Sequence, residues 1–297
     1  MPLLSLLDVP APAKLNLFLH VTGRRHDGYH LLQSVFVLID WCDTLNFEVR
    51  HDGVIEREDL GDELPPDDLC TRAARALQRA SNTSLGVRIG IRKNIPSGAG
   101  MGGGSSDAAT VLLALNRLWE LHWPLERLLP IGLSLGADVP FFLNGRNAFV
   151  EGIGEVLTPI EVPEQRLAVV KPPVAVMTRQ IFESPLLARD TPAVIVAGFS
   201  TNAGRSLFAE SARQGAPFGK NDLQAAATSV CAEVAQAIEL LESKFGHARM
   251  TGSGSAVFAW AGNEEGHWPP ELAPGWVGRL CKSLPVHPLV GWAGQKV

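Results

Sequence analysis

Residues Ile95 to Ala109 read IPSGAGMGGGSSDAA, with five glycines at 98, 100, 102, 103 and 104. Glycine removes side chains from a turn that must approach something closely. Just behind them stand two hydroxyls and an acid, Ser105, Ser106 and Asp107, at the head of an apolar helical pattern. The N-terminus of a helix offers unpaired N–H groups and the positive end of its dipole, which favours anions. The spacing therefore predicts a loop that wraps a di- or triphosphate. A flexible surface loop would account for a lone glycine run, but it accounts poorly for five glycines packed between a strand and a helix.

Two familiar phosphate loops fail on inspection. Gly98, Gly100 and Gly103 formally satisfy G-x-G-x-x-G. The strand before them, however, alternates Val87, Ile89 and Ile91 with Arg88, Gly90 and Arg92, whereas a central parallel strand reads as a continuous apolar run. The acids some twenty residues on, Glu120 and Glu126, do not end a strand. A Walker A loop needs lysine where Gly104 stands.

The elements that would hold this loop can be read on either side of it. Leu15, Leu17, Leu19 and Val21 alternate with Asn16, Phe18 and His20, which predicts a strand over Lys14 to Val21. A turn-rich stretch, TGRRHDGYH, separates it from an apolar run over Leu31 to Ile39. The acids of 51–68 suggest a solvated hairpin or loop, and a short helix is expected over Leu69 to Ala80. The main helix is expected from about Ser106 to Leu121, capped by Ser105, Ser106 or Asp107, with Ala108, Val111, Leu112, Leu115 and Leu118 as its core stripe. VPFFL and the residues around Asn147 to Val150 read as strands. RLAVVKPP with AVM reads as one strand and its continuation, KNDLQAAATSVCAEVAQAIELLES as containing a long helix, and ARMTGSGSAVFAWA as strand–turn–strand. Ala188 to Gly219 and Gly262 to Gly275 look loop-like. Strands and helices mix without a regular βαβ repeat, so the fold class is α+β.

At 297 residues the chain is long enough for two domains, and Pro159 and Pro163 mark a plausible boundary. The division expected is 1–160 and 161–297. A net charge of −5 argues against nucleic acid as a partner, since a protein living on phosphate backbones usually carries a basic face. It does not forbid one anionic nucleotide held by backbone N–H groups. Cys42, Cys70, Cys231 and Cys281 lie far apart without a C-x-x-C pair and read as buried reduced thiols. MPLLSLLDVPAPAK lacks a basic n-region and is broken by Asp8 and prolines, so it makes a poor signal peptide, and no run approaches the ~20 apolar residues that span a bilayer. The expectation is a cytoplasmic protein without membrane association.

Three stretches, taken in order, resemble one superfamily. Pro96 to Asp107 is similar to the ATP loop of GHMP kinases, with Gly100 and Met101 ahead of the triple glycine. LGADVPFFL, Leu135 to Leu143, resembles the motif that holds the family's catalytic aspartate. TGSGSAVFA, Thr251 to Ala259, resembles its C-terminal glycine-rich turn. The opening PAKLNLFLHVTGRRHDGYHLLQSVF, with KNDLQ and the closing HPLVGWA, is similar to the branch acting on a CDP-linked methylerythritol. The resemblance covers about Pro12 to Phe258 and the end of the chain, and is weakest over Ala188 to Gly219.

That resemblance implies a two-domain α+β kinase with its active site in the interdomain cleft. It implies transfer of the ATP γ-phosphate, carried as the Mg²⁺ complex, to the tertiary 2-hydroxyl of a CDP-linked methylerythritol. Asp138, taken alone a turn or cap residue, becomes the general base or the orienter of the attacking hydroxyl. Lys14 becomes the cation beside it, rather than a solvated surface charge. The ATP loop carries over onto Pro96, Ser97, Gly98, Ala99, Gly100, Met101, Gly102, Gly103, Gly104, Ser105, Ser106 and Asp107. Asn16, Tyr29 and His30 match residues that recognise cytidine, Phe182 a second aromatic for the base, and Thr178 a nearby polar contact. Gly252, Ser253 and Gly254 are expected near substrate or phosphate, though a plain hairpin turn would look the same. Two other readings remain open at this level: a GHMP kinase for another alcohol, and a protein of this fold that binds without catalysis.

Overall fold

The computed structural model describes residues 3–194, 218–262, 268 and 271–294. Two long strands, β1 (Ser5–Arg24) and β2 (His30–Arg50), run antiparallel and carry most of the first half. Both are longer than their apolar cores predict, because bulges at four places between Leu6 and Gly23 let β1 bend and keep pairing. β3 (Ile55–Asp59), β4 (Gly86–Arg92), β5 (Ala148–Glu151) and β6 (Val156–Pro159) complete this part of the sheet. β7 (Arg166–Lys171), β8 (Ala248–Met250), β9 (Val257–Trp260) and β10 (Val277–Leu284) form the second part. β10 joins the two parts, pairing along β7 and ending on Leu38 and Ile39 of β2.

Burial on both faces explains the apolar density of these strands. Phe36, Leu38, Leu45 and Phe47 of β2 pack with the first group of helices, and the intervening Val35, Val37, Ile39 and Trp41 pack inward against Leu167, Val169 and Phe258. Ala168 and Val170 of β7 turn the other way, toward the second group of helices. The layers thus run helices, sheet, sheet, helices. Each core is built from the period-2 alternation of the strands between them.

The first helices are α1 (Leu69–Ser81), α2 (Gly103–Leu118), α3 (Leu125–Leu135) and α4 (Val139–Asn144). α1 starts where the Asp68 carboxylate accepts from the Cys70 and Thr71 amides at 3.2 and 3.0 Å, and it ends at left-handed Asn82. α2 begins three residues earlier than expected. Its N-cap is left-handed Gly102, which supplies no side-chain cap, so Ser105 and Ser106 lie inside the first turn and Asp107 just beyond it. VPFFL is helical, not a strand: Pro140 suits the first turn of α4 and Gly145 closes it in the left-handed region. A short apolar run carries no periodicity able to separate the two possibilities.

In the second half β7 ends at Lys171 and does not continue through AVM, which is irregular and leads into α5 (Thr178–Glu183); KNDLQAAATSVCAEVAQAIELLES holds two helices, α6 (Gln224–Val230) and the longer α7 (Ala232–Phe245). The break falls at extended Cys231, just after Thr228 and Ser229, whose hydroxyls bond back to the carbonyls of Gln224, Ala225 and Ala226. Such back-bonding bends and weakens a helix. The acidic stretch after β2 also yields an element: β3 lies parallel to β4, its Glu56 and Asp59 paired with Arg50, Arg88 and Arg57. Most of Ala188 to Gly219, and much of Gly262 to Gly275, falls outside the described residues.

One buried amide ties the two parts of the sheet together. Asn147 accepts from the Leu38 amide at 2.9 Å and donates to the Leu284 carbonyl at 3.0 Å. Asn147→Ala leaves both groups without partners inside the fold. It is expected to cost about 1–3 kcal/mol, read as a lower urea midpoint at an unchanged slope. A loss below about 0.5 kcal/mol would show that the joint is held elsewhere.

Candidate active site

Lys14 sits mid-strand on β1 and is 4% exposed. Its amide donates to the Met101 carbonyl at 3.0 Å, which lays the glycine loop along the strand. Its ammonium donates to Asn16 Oδ1 at 2.6 Å, stands 3.6 Å from Asp138 Oδ2 and lies 4.4 Å from the centre of the Phe36 ring. Asn16 is in turn fixed: its side-chain amide donates to Ser34 Oγ at 2.9 Å and its backbone amide to Thr251 Oγ1 at 2.9 Å. Asp138 occupies the residue before α4 without capping that helix, and its carboxylate is 31% exposed. The sequence placed these two charges 124 positions apart; the fold brings them together.

The glycine loop and the turn after β8 lean on each other. Ser255 and Ala256 donate their amides to the Gly98 and Ala99 carbonyls, each at 3.1 Å. A Cβ on Gly100, whose φ is +73°, would lie 2.3 Å from the Thr251 carbonyl oxygen, and one on Gly252 would lie 2.8 Å from the Gly100 carbonyl oxygen. Gly102, at φ +71°, faces Phe142 and the Lys14 stem, whereas Gly103 is confined by packing against Ile95 and not by its φ. Ala99 and Met101 turn inward and anchor the loop in the core between the sheets.

Two cavities meet at this loop. One, of about 300 Å³, is walled by Pro96 to Gly104, Lys93, Asp107 and the start of α1. Ser105 and Ser106 are not among its walls. The other, of about 260 Å³, is walled by Lys14, Asn16, Asp138, Thr178 and Phe182, with Gly252 and Ser253. Gly100 and Gly102 line both. A phosphate chain lying in the first cavity can therefore present its end to a hydroxyl in the second. At the same place α2 offers uncapped backbone N–H groups, and Ser106 Oγ and Asp107 Oδ1 are buried without a protein partner.

Of the residues expected to read the base, Phe182 and Thr178 line the second cavity, and Thr178 Oγ1 lies 2.7 Å from Ser253 Oγ. His30 begins β2 on the face that continues into cavity-lining Leu32, Ser34 and Phe36. Its imidazole stacks on Phe182, 5.0 Å between centres and 26° between planes. Tyr29 stands 60% exposed beside it. The structure thus pairs Phe182 with His30.

Sequence reasoning missed the supports. Asp43 accepts from the Asn94 and Ile95 amides at 2.6 and 2.8 Å and pairs with Lys93, which also holds Asp107 at 2.5 Å. This clamps the entry of the loop to its exit. Burial pushes the Asp107 carboxyl well up, against the pull of Lys93, and Asp43 adds to that push. Asn221 donates to the Met250 and Gly252 carbonyls at 2.7 and 2.8 Å and so shapes the second turn. KNDLQ contained Asn221, but nothing in its spacing says that an amide there closes a turn thirty residues on.

The family models for the GHMP kinase N-terminal and C-terminal domains match residues 68–146 and 202–267. The 4-diphosphocytidyl-2-C-methyl-D-erythritol kinase of Methylibium petroleiphilum is 60% identical over 299 residues, covering 99% of this chain and all of its own. The chain belongs to that kinase family. A crystal structure of a 4-(cytidine 5'-diphospho)-2C-methyl-D-erythritol kinase, 35% identical, superposes with a TM-score of 0.69 over 86% of this chain and 90% of its own. A homoserine kinase from Cytophaga hutchinsonii, 17% identical, reaches 0.63 over 86% and 85%, and shares the fold. The α+β, two-domain GHMP kinase architecture expected from the three motifs is the architecture observed. No helix among the described residues is long and apolar enough to cross a membrane.

The Lys14 ammonium is buried, so its charge depends on its surroundings. Burial pulls its pKa down, and the charge of Asp138 offsets only part of that. An amine that must be charged to act loses its effect, as pH rises, earlier than an ordinary lysine would. The rate should therefore fall along an alkaline limb placed below the ordinary lysine range. Lys14→Arg, whose guanidinium stays charged, should turn over more slowly at neutral pH and lack that limb. The check is kcat against pH for both proteins; an identical limb in both would assign it to another group.

Proposed function

We propose that this kinase transfers the γ-phosphate of ATP to the 2-hydroxyl of 4-diphosphocytidyl-2-C-methyl-D-erythritol, a step of the non-mevalonate route to isoprenoid precursors, with Asp138 and Lys14 at the reacting centre. The observation that carries this reading is the pair itself. A carboxylate and an ammonium 3.6 Å apart stand in a cavity that shares Gly100 and Gly102 with the cavity of the phosphate loop. An alcohol is a poor nucleophile until it gives up its proton, and a carboxylate within reach can take that proton as the P–O bond forms. Lys14 stands beside that carboxylate and offsets charge on the phosphoryl group in transit. Phosphoryl transfer rests on such positioning and electrostatics more than on covalent help from the protein.

In this reading the loop from Pro96 to Asp107 wraps the phosphates, and the uncapped start of α2 supplies N–H donors. Mg²⁺ would arrive with the nucleotide and neutralise charge on its phosphates. Asp107 lines the loop cavity, and its Oδ1, left without a protein partner, is a hard donor of the kind that ion takes. Asn16 and Thr178 contact the polyol side, and Phe182, Tyr29 and His30 take the cytosine. The two functional halves are residues 1–160 and 161–297, a division supported by the change of sheet between β6 and β7. A cytoplasmic setting fits four free thiols among the described residues.

Asp138→Asn keeps the shape of the side chain and removes its basicity. It is expected to lower kcat by roughly 10²–10⁴ while ATP affinity, measured by calorimetry, changes little. Near-native turnover by a folded Asp138→Asn protein would remove Asp138 from the chemistry.

A further inference from the structure

One guanidinium joins the two aromatic elements at the outer end of the substrate cavity. Arg189 lies after α5, between that helix and the end of this described segment. Its Nη2 donates to the Phe182 and Ser184 carbonyls at 3.1 and 2.9 Å, and its Nη1 to the Leu187 carbonyl at 3.1 Å. These bonds fix the fork on the chain that follows α5. Its remaining Nε–H reaches across to β2 and meets His30 Nε2 at 3.2 Å.

An arginine has donors only, and it keeps its proton in proteins. His30 Nε2 must then be the acceptor, which puts the single proton of the neutral ring on Nδ1. Phe182 covers one face of the same ring. Held on an edge and on a face, the imidazole keeps one orientation and one tautomer, and presents an N–H donor at its other nitrogen. A donor at that position suits the unprotonated N3 of cytosine. Uracil carries a hydrogen on N3, so two donors would face each other.

We propose that Arg189 is a specificity-determining positioning residue: by holding His30 in the Nδ1–H form it makes the pocket select cytosine over uracil. The proposal rests on the assignment of His30 to base reading made above. Among the described residues nothing else charged opposes the arrangement. The charges facing the imidazole are Arg189 and Arg24, both cations, while the Asp27 carboxylate nearby is paired with Arg25. Burial, then Arg189, then Arg24 all press the His30 pKa below its ordinary value. Removing Arg189 takes away one cation, so the His30 pKa should rise and protonation should disable the pocket at a higher pH than in the native protein.

The experiment has two arms. Nitrogen-15 NMR of the whole protein reads the tautomer and titration of the His30 ring in the native form, in Arg189→Met and in Arg189→Lys. The second arm measures kcat/KM for the CDP-linked substrate and its UDP-linked analogue against pH. The native ring should be the Nδ1–H tautomer. Arg189→Met should raise the His30 pKa, populate the Nε2–H tautomer and reduce the CDP-to-UDP preference by about 3- to 10-fold, the worth of one neutral hydrogen bond, with KM for ATP unchanged. Arg189→Lys, which keeps the charge without the planar fork, should hold the pKa closer to the native value and still lose part of the preference. A native Nε2–H tautomer overturns the proposal without any variant having to fold. So does a preference that survives Arg189→Met intact. Equal use of both nucleotides by the native enzyme, with the Nδ1–H tautomer in place, would instead locate the failure in the assignment of His30 to the base.

Discussion

A lysine ammonium inside a folded domain has lost most of its hydration, and it stays charged only if fixed dipoles and opposite charge surround it. Lys14 meets this condition through Asn16, the Phe36 ring and Asp138. Each partner needs its own support. Asn16 is held by Ser34 of β2 and by Thr251 of the C-terminal turn, and Asp138 stands at the head of α4, whose phenylalanines pack under the first sheet. One cation therefore demands the cooperation of β1, β2, α4 and the turn after β8. The proposed reacting centre lies where those elements converge.

The same economy governs the phosphate loop. Its backbone rests on the second turn so closely that neither Gly100 nor Gly252 has room for a Cβ, and Asp43 with Lys93 closes the loop from beneath. A change in either half of the molecule is consequently felt at the loop. Bringing the Thr251 carbonyl close to Gly100 also brings Thr251 Oγ1 to Asn16. Loop position and lysine environment are thus set by one turn.

Much of this was legible in the sequence, and the parts that were not share a physical cause. Alternation marked the cores of β1 and β4, because the period of a strand is 2, and a continuous apolar run marked the core of β2, which is buried on both faces. Five glycines marked the loop, since close backbone approach tolerates little else. VPFFL was misread because five apolar residues fit a strand or a helix equally well; Pro140 and Gly145, as start and stop signals, pointed to the helix. The cap of α2 was misread because hydroxyls usually cap, whereas here Gly102 leaves the end of the helix without a side-chain cap. Asp43, Lys93, Asn221 and Arg189 carried no local signal. Their roles arise from contacts across 14 to 159 positions, and only the fold brings such partners together.

The central claim is that the cavity beside Lys14 and Asp138 takes an alcohol carried on a cytidine diphosphate. It is tested most directly by ADP release from ATP in the presence of 4-diphosphocytidyl-2-C-methyl-D-erythritol, compared with the same polyol phosphate lacking CMP. The account predicts rapid ADP release with the first, phosphorylation at its 2-hydroxyl, and little release with the second. Equal turnover of both, or ADP release without a phosphorylated 2-hydroxyl, would contradict it.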